Sequence, residues 1–173
     1  RSPGSVLLIS CYELGHQPLS VALPLGFLEQ AGFKPAVMDI AVESFEGERV
    51  VEASFIAISV PMHTAMRLGV RVAQRIRELN PSCHICFYGL YAALKSDYLL
   101  DHGADSCIGG ECEKPLLALV QSIDSGSKEQ VEGIISRGVA ALPVLEKLSF
   151  AVPVRHALPP LEKYASLEHN GES

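Results

Sequence analysis

Apolar residues are laid out along the chain in short, nearly unbroken runs, with longer stretches of helical period between them. "SVLLIS" from Ser5, "PAVMDI" from Pro35, "SFIAISV" from Ser54, "CHICFYG" from Cys83 and "DSCIGG" from Asp105 each have the length of a strand. Their continuity, rather than strict alternation, is what a strand buried on both faces requires. Between the third and fourth runs, Met66, Val70, Ala73, Ile76 and Leu79 recur at helical spacing, while Arg67, Arg71, Arg75 and Glu78 take the opposite face. Thr64 is the expected N-cap of this helix, and Pro81 follows its end. A second helix is expected through "LPLGFLEQAG", closed by Gly32. If it starts as early as Leu19, the Pro24 ring meets the carbonyl of Ser20, so the sequence predicts either a later start or a kink. Shorter helices are expected over "FEGERVVEA", over "LKSDYLLDHG" with Gly103 as its cap, and over "CEKPLLALVQSI" with Pro115 in the first turn.

Strand runs alternating with helices imply an α/β fold, a flavodoxin-like three-layer sandwich around a five-stranded parallel sheet. The texture changes after Ser122. "DSGSKEQ" reads as a polar turn, "VEGIISRG" as a strand or hairpin arm, and the remainder as a Pro-rich connector. The predicted organisation is a Rossmann-like domain over 1–125 and a hairpin with connector over 126–173.

Composition narrows the function. Length, 173 residues, and 48% apolar content suffice for one domain with a real core. A net charge of -6, from 14 Lys and Arg against 20 Asp and Glu, gives no footprint for nucleic acid or an anionic membrane. No apolar run approaches the roughly 20 residues that span a bilayer, and no signal pattern is present, so a cytoplasmic location is expected. The five Cys are an odd number scattered through apolar stretches, which suits reduced thiols. Cys83 and Cys86 form a C-x-x-C, but in a strand their thiols point to opposite faces, and core packing is the favoured reading. The chain opens on "RSPGS" without Met and closes on "EHNGES", so the natural polypeptide is expected to be longer.

In an open parallel sheet, ligands bind beyond the carboxyl ends of the strands. Four loops therefore hold the candidate site residues: Cys11, Tyr12, Glu13, Gly15 and His16 after the first strand; Ser59, Val60, Pro61, Met62 and His63 after the third; Gly89, Leu90 and Tyr91 after the fourth; Gly109, Gly110 and Glu111 after the fifth. Their glycines would let a ligand approach the backbone. Familiar occupants fail on particular residues. The chain has no G-x-G-x-x-G for a dinucleotide and no Gly-rich run ending in Lys-Ser or Lys-Thr for a P-loop. It also has no Ser/Thr/Gly loop for a flavodoxin phosphate, and Ser59-Val60-Pro61 stands where a phospho-acceptor receiver ends its third strand in Asp. No catalytic residue and no metal ligand is assigned. Cys112 is a candidate exposed thiol, and Glu111 and Glu113 are either ligand contacts or acids favoured by a helix N-terminus.

The order of features resembles the cobalamin-binding-like domain that precedes many radical S-adenosylmethionine (SAM) enzymes. Pro18, Leu19, Leu28, Gly32 and Asp39 take that domain's opening positions, and "FIAISVPMHTAMRLGVRVAQRIRELNPSCHICFYGLYAAL" is similar to its third strand, helix and fourth strand. Gly103, Ala104, Asp105, Gly110, Glu111, Glu113, Leu116 and Leu117 follow its closing unit, and "VPVRHALPPLEKYA" resembles its connector to the iron–sulfur domain. The resemblance implies cobalamin at the carboxyl edge, its nucleotide tail inserted between loops. It also implies that the [4Fe–4S] cluster, S-adenosylmethionine and the metal-binding chemistry belong to a radical SAM domain outside these residues, since no C-x-x-x-C-x-x-C occurs here. That domain is the expected partner, and a homodimer is allowed. His16 lacks the Asp two places before it that marks an axial cobalt ligand, and reads instead as a loop histidine. The competing reading is a degenerate domain in which Tyr12, Glu13, His16, Met62, His63 and Tyr91 fill the place of the corrin, leaving an interaction or dimerisation module.

Overall fold

The computed structural model describes residues 2–127, 129–142, 144 and 151–166; the end of the expected connector, 167–173, lies outside them. Six strands, β1 (Val6–Ser10), β2 (Ala36–Asp39), β3 (Phe55–Ser59), β4 (His84–Tyr88), β5 (Ser106–Ile108) and β6 (Ile134–Ile135), form one sheet in the order β2-β1-β3-β4-β5-β6. The first five are parallel, as expected; β6 adds an antiparallel strand from the "VEGIISRG" segment, pairing Ile135 with Cys107 and Ile134 with Ile108. This is a flavodoxin-like sandwich with one more strand than the sequence predicted.

Both faces of the sheet are dry. Along β1, Leu7 and Ile9 join the cluster on one face and Val6 and Leu8 the cluster on the other, as side-chain alternation demands. One face is covered by α2 (Gly47–Glu52) and α3 (His63–Leu79), with α4 (Leu90–Leu94) and α5 (Ser96–Asp101) beside them. The other is covered by α1 (Leu19–Gln30) and α6 (Glu113–Ser125). Cys83 falls in the first cluster and Cys86 in the second, so the C-x-x-C is split across the sheet. At the opposite end of the strands, Arg77 pairs with Asp105 and donates to the carbonyls of Cys83 (2.6 Å) and Gly103 (3.0 Å), tying α3 to β4 and β5.

Three local expectations are sharpened. The long helix starts at His63, two residues earlier than a Thr64 cap would allow: Met62 is its N-cap, without a side-chain hydrogen bond. "LKSDYLLDHG" does hold a short helix, α5, with His102 rather than Gly103 as its C-cap, and a further helix, α4, precedes it from Leu90 with Lys95 between them. Helix α1 does begin at Leu19 and carries Pro24 inside it. Proline has no N–H, so the Ser20 carbonyl one turn back loses its helical donor. Tyr88, fully buried on β4, supplies the replacement: its hydroxyl donates to that carbonyl at 2.9 Å. Burial pushes the phenol pKa well above its ordinary value, which keeps the group a donor.

Residues 151–166 pack onto the domain. The Val154 N–H donates to the Ala22 carbonyl (2.9 Å), Gln17 Nε2 donates to the Pro159 carbonyl (3.0 Å), and Arg155 donates to Gln17 (2.8 Å). Leu158 is buried among the α1 and α6 side chains. Gly26 permits this approach, since a Cβ there would stand 2.8 Å from the Val152 carbonyl oxygen.

Two outcomes follow from this packing. Tyr88→Phe should destabilise the protein by about 1–2 kcal/mol by orphaning the Ser20 carbonyl. Pro24→Ala, which restores a helical N–H, should recover about 1 kcal/mol more in the Tyr88→Phe background than in the parent; a double-mutant cycle by urea denaturation reads this coupling. Gly26→Ala should lift the connector, seen as several-fold faster tryptic cleavage after Arg155 while helical content stays unchanged.

Candidate functional site

The parallel register places one row of residues level across the carboxyl edge: Asp39, Ser10, Ser59, Tyr88 and Ile108, from β2 through β1, β3, β4 and β5. The strand order reverses between β1 and β3, and a crevice opens outside the sheet at such a switch point. The predicted loops all leave from this row. Cys11, Val60, Gly89 and Gly109 are the next residues of their strands, and the other candidates follow them in the loops.

Glu13 turns back from the β1 loop to the start of α1. One carboxylate oxygen accepts from the Leu19 and Ser20 N–H groups at 3.2 and 3.4 Å, and the other accepts from the Ser20 hydroxyl at 2.5 Å. Pro18, the formal N-cap, has no side chain able to do this, so a carboxylate from outside the helix satisfies its first donors and its positive end. Ser59 donates to Ser20 Oγ at 2.7 Å, extending the chain of hydrogen bonds into the sheet. Glu13, Ser20, Ser59 and Tyr88 thus form one polar network across the β1/β3 switch point. Ser20 and Tyr88 were absent from the predicted set; the only sequence signal for them was Pro24, which requires a donor for Ser20.

Above this network two leucines of the loops are exposed. Leu14 is 60% exposed and Leu90 62% exposed. Their parent strands, β1 and β4, stand two spacings apart, about 10 Å. Leu14 itself holds a positive φ of 55°, followed by Gly15 at 77°, a tight left-handed turn that presents the leucine outward. Gly15 also meets the connector: the Ala165 N–H donates to its carbonyl at 2.9 Å. Next to it, the Tyr164 hydroxyl donates to Asp39 Oδ2 at 2.7 Å, so the connector crosses the β1 and β2 end of the row.

The remaining candidates separate by environment. His16 is exposed with only its backbone engaged, in a turn to the Glu13 carbonyl. Tyr12 and Tyr91 are half-buried, and Tyr91 lies 6.0 Å from the exposed His63 in a tilted ring contact. Pro61 and Met62 are half-buried between β3 and α3, and Val60 is buried. Gly109 is buried so closely against Ala93 that a Cβ would overlap it, whereas Gly110 is exposed and Glu111 half-buried. Cys112, the candidate exposed thiol, is buried instead. All five cysteines are buried and unpaired. Burial raises Cys11 and Cys107 to about 12 and pushes Cys83, Cys86 and Cys112 up as well, so every thiol stays protonated at neutral pH. Glu113 is 7% exposed in the first turn of α6, and its Oε2 has no hydrogen-bond partner; burial raises its pKa. Among the described residues no three His, Cys, Asp or Glu side chains gather as metal ligands, and no helix is long and apolar enough to cross a membrane.

No family model matches this chain, and no curated protein matches it. Solved structures do. A radical S-adenosylmethionine methyltransferase, TsrM from Kitasatospora setae, superposes with a TM-score of 0.62 at 19% identity over 80% of this chain. A CheY-like response regulator receiver domain from Methanospirillum hungatei superposes with a TM-score of 0.51 at 16% identity over 72% of this chain and 96% of its own. The present chain spans 30% of the TsrM chain. At these identities the likeness establishes the fold, a flavodoxin-like α/β sandwich of the kind that also occurs as one part of a radical SAM methyltransferase.

Proposed function

We propose that this chain is the N-terminal cobalamin-binding or cobalamin-binding-like module of a radical SAM iron–sulfur protein, the chemistry being carried by a domain beyond these residues. The observation that carries the reading is the superposition of four-fifths of the chain on part of a radical SAM methyltransferase. It is supported by the sequence features running from Pro18 to Leu117 that resemble the cobalamin-binding-like domain of such enzymes. The nearby receiver structure shares the fold but offers no rival site, because Ser10 and Ser59 stand at the ends of β1 and β3 where a phosphoryl-accepting cluster needs carboxylates.

The residues fit a corrin in one respect and resist it in another. Exposed Leu14 on the β1 loop and Leu90 on the β4 loop offer apolar contacts suited to the face of a large macrocycle, and Gly110 is exposed on the β5 loop, whereas Gly15 is met by Ala165 of the connector. The switch-point crevice below, where a nucleotide tail would insert, is bridged by Glu13, Ser20 and Ser59. Cobalamin bound here would be held by the loops that carry Leu14, Leu90 and Glu111. When bound, it supplies a cobalt centre for group transfer. His16, exposed on the β1 loop, is not preset by any partner to ligate that cobalt.

The bridged crevice favours a second reading, a degenerate domain that orients its parent enzyme without cofactor. One experiment separates the two. The purified chain, and the full-length parent, are incubated with hydroxocobalamin, desalted and scanned in the visible. Retained corrin absorbance that falls at least about tenfold in a Leu14→Glu/Leu90→Glu variant is the expected result, since charging these apolar contacts costs at least the 1.4 kcal/mol that a factor of ten represents. Absence of retained absorbance in both proteins would assign the degenerate role.

A further inference from the structure

The exposed face of α3 carries a row of basic side chains that no carboxylate among the described residues pairs with. His63, Arg67 and Arg71 follow one another at intervals of four residues, a rise of about 6 Å each, so they share one stripe of the helix. Lys95, at the junction of α4 and α5, closes the stripe from the side. Two grooves run along it and share His63 and Arg67. One, of about 410 Å³, is completed by Met66, Lys95 and Tyr98; the other, of about 220 Å³, by Thr64, Leu68 and Arg71. No carboxylate lines either groove.

This arrangement departs from how the chain treats its other arginines. Arg49 pairs with Glu46, Arg77 with Asp105 and Arg137 with Asp101, while Arg75, next on the same helix, lies 4.2 Å over the Phe45 ring. Among the described residues Arg67, Arg71 and Lys95 have no ion pair or side-chain hydrogen bond. Like charges one turn apart destabilise a helix. The protein tolerates that repulsion here although acidic residues outnumber basic ones by 20 to 14 over the whole chain.

We infer that this stripe is a docking surface for an acidic helical segment of another polypeptide, one that presents Glu or Asp side chains once per turn. Spacing selects this occupant over a small phosphate-bearing ligand. A phosphate site gathers its donors around a point, whereas these cations are strung out along a helix, matching carboxylates repeated at the same pitch on an antiparallel helix. Met66 and Tyr98, with Leu68, supply the apolar floor that a protein partner uses and a small anion does not; Tyr, Met and Arg are the residue types enriched in such interfaces. The inference does not rest on cobalamin binding: Arg67, Arg71 and Lys95 lie outside the candidate loops, and His63 alone is shared with them.

The test uses the purified chain and three probes: a fluorescein-labelled, alanine-rich helical peptide with Glu at every fourth position, a peptide of the same composition with its Glu residues spread around the helix, and inorganic pyrophosphate. Fluorescence anisotropy should show salt-sensitive binding of the first peptide. The second should bind about tenfold more weakly, and pyrophosphate should not displace the first at equal concentration. Arg67→Gln/Arg71→Gln should weaken binding of the first peptide by about tenfold or more, while Lys34→Gln/Lys163→Gln, which removes the same charge elsewhere, should leave it within about twofold. All four positions are exposed, so circular dichroism should show every variant folded. Equal affinity for the two peptides, an unaffected arginine variant, or displacement by pyrophosphate would each overturn the proposal.

Discussion

A single backbone carbonyl, that of Ser20, organises the carboxyl edge of this domain. Pro24 deprives it of its helical partner, and Tyr88 reaches from β4, past β3, to satisfy it. A buried acceptor left without a donor costs on the order of 1–3 kcal/mol, so α1 is held at one depth and one angle above the sheet. The same residue's side chain then joins Glu13 to Ser59, and through Glu13 the β1 loop is pinned to the start of the helix it precedes. The conformation of the first loop, the position of the first helix and the width of the switch-point crevice are therefore one variable rather than three.

The result is a site with unlike storeys. Its floor is polar, hydrogen-bonded and already filled, which gives rigidity. Its rim is apolar and glycine-bearing, with two leucines whose exposure serves no purpose in the isolated fold. The connector adds a third contact at the β2 side, through Tyr164 on Asp39 and Ala165 on Gly15. A segment that leads onward in the chain thus touches the loop that would meet a ligand.

Sequence patterning made the five parallel strands legible because each run is apolar on both faces, and it made the positions of α1, α3 and α6 legible through Gly32, the period of α3 and Pro115. It placed the candidate loops at the carboxyl edge of the sheet, since that follows from parallel topology alone. Other features depended on information that local pattern does not carry. The strand in "VEGIISRG" was legible, but not that it joins the sheet antiparallel to β5 as β6. Glu13 caps a helix that starts six residues later, outside the window in which capping residues are sought. Pro24 argued against an early helix start only because the compensating donor lies 64 residues further along the chain, on β4. The burial of Cys112 reflects how α6 settles on the sheet, a tertiary choice that a Gly- and Glu-rich loop does not announce.

The two-residue β6 carries a meaning beyond its size. A parallel sheet ends in strands whose outer hydrogen-bonding groups are free to recruit another chain, and this domain blunts both of its ends. On one side, an antiparallel strand too short to template a partner closes β5, and the chain turns away at once through Gly138. On the other, β2 is only four residues long and is entered through Pro35, which has no N–H to offer. A domain built in this way can be synthesised without exposing an edge along which nascent copies would aggregate.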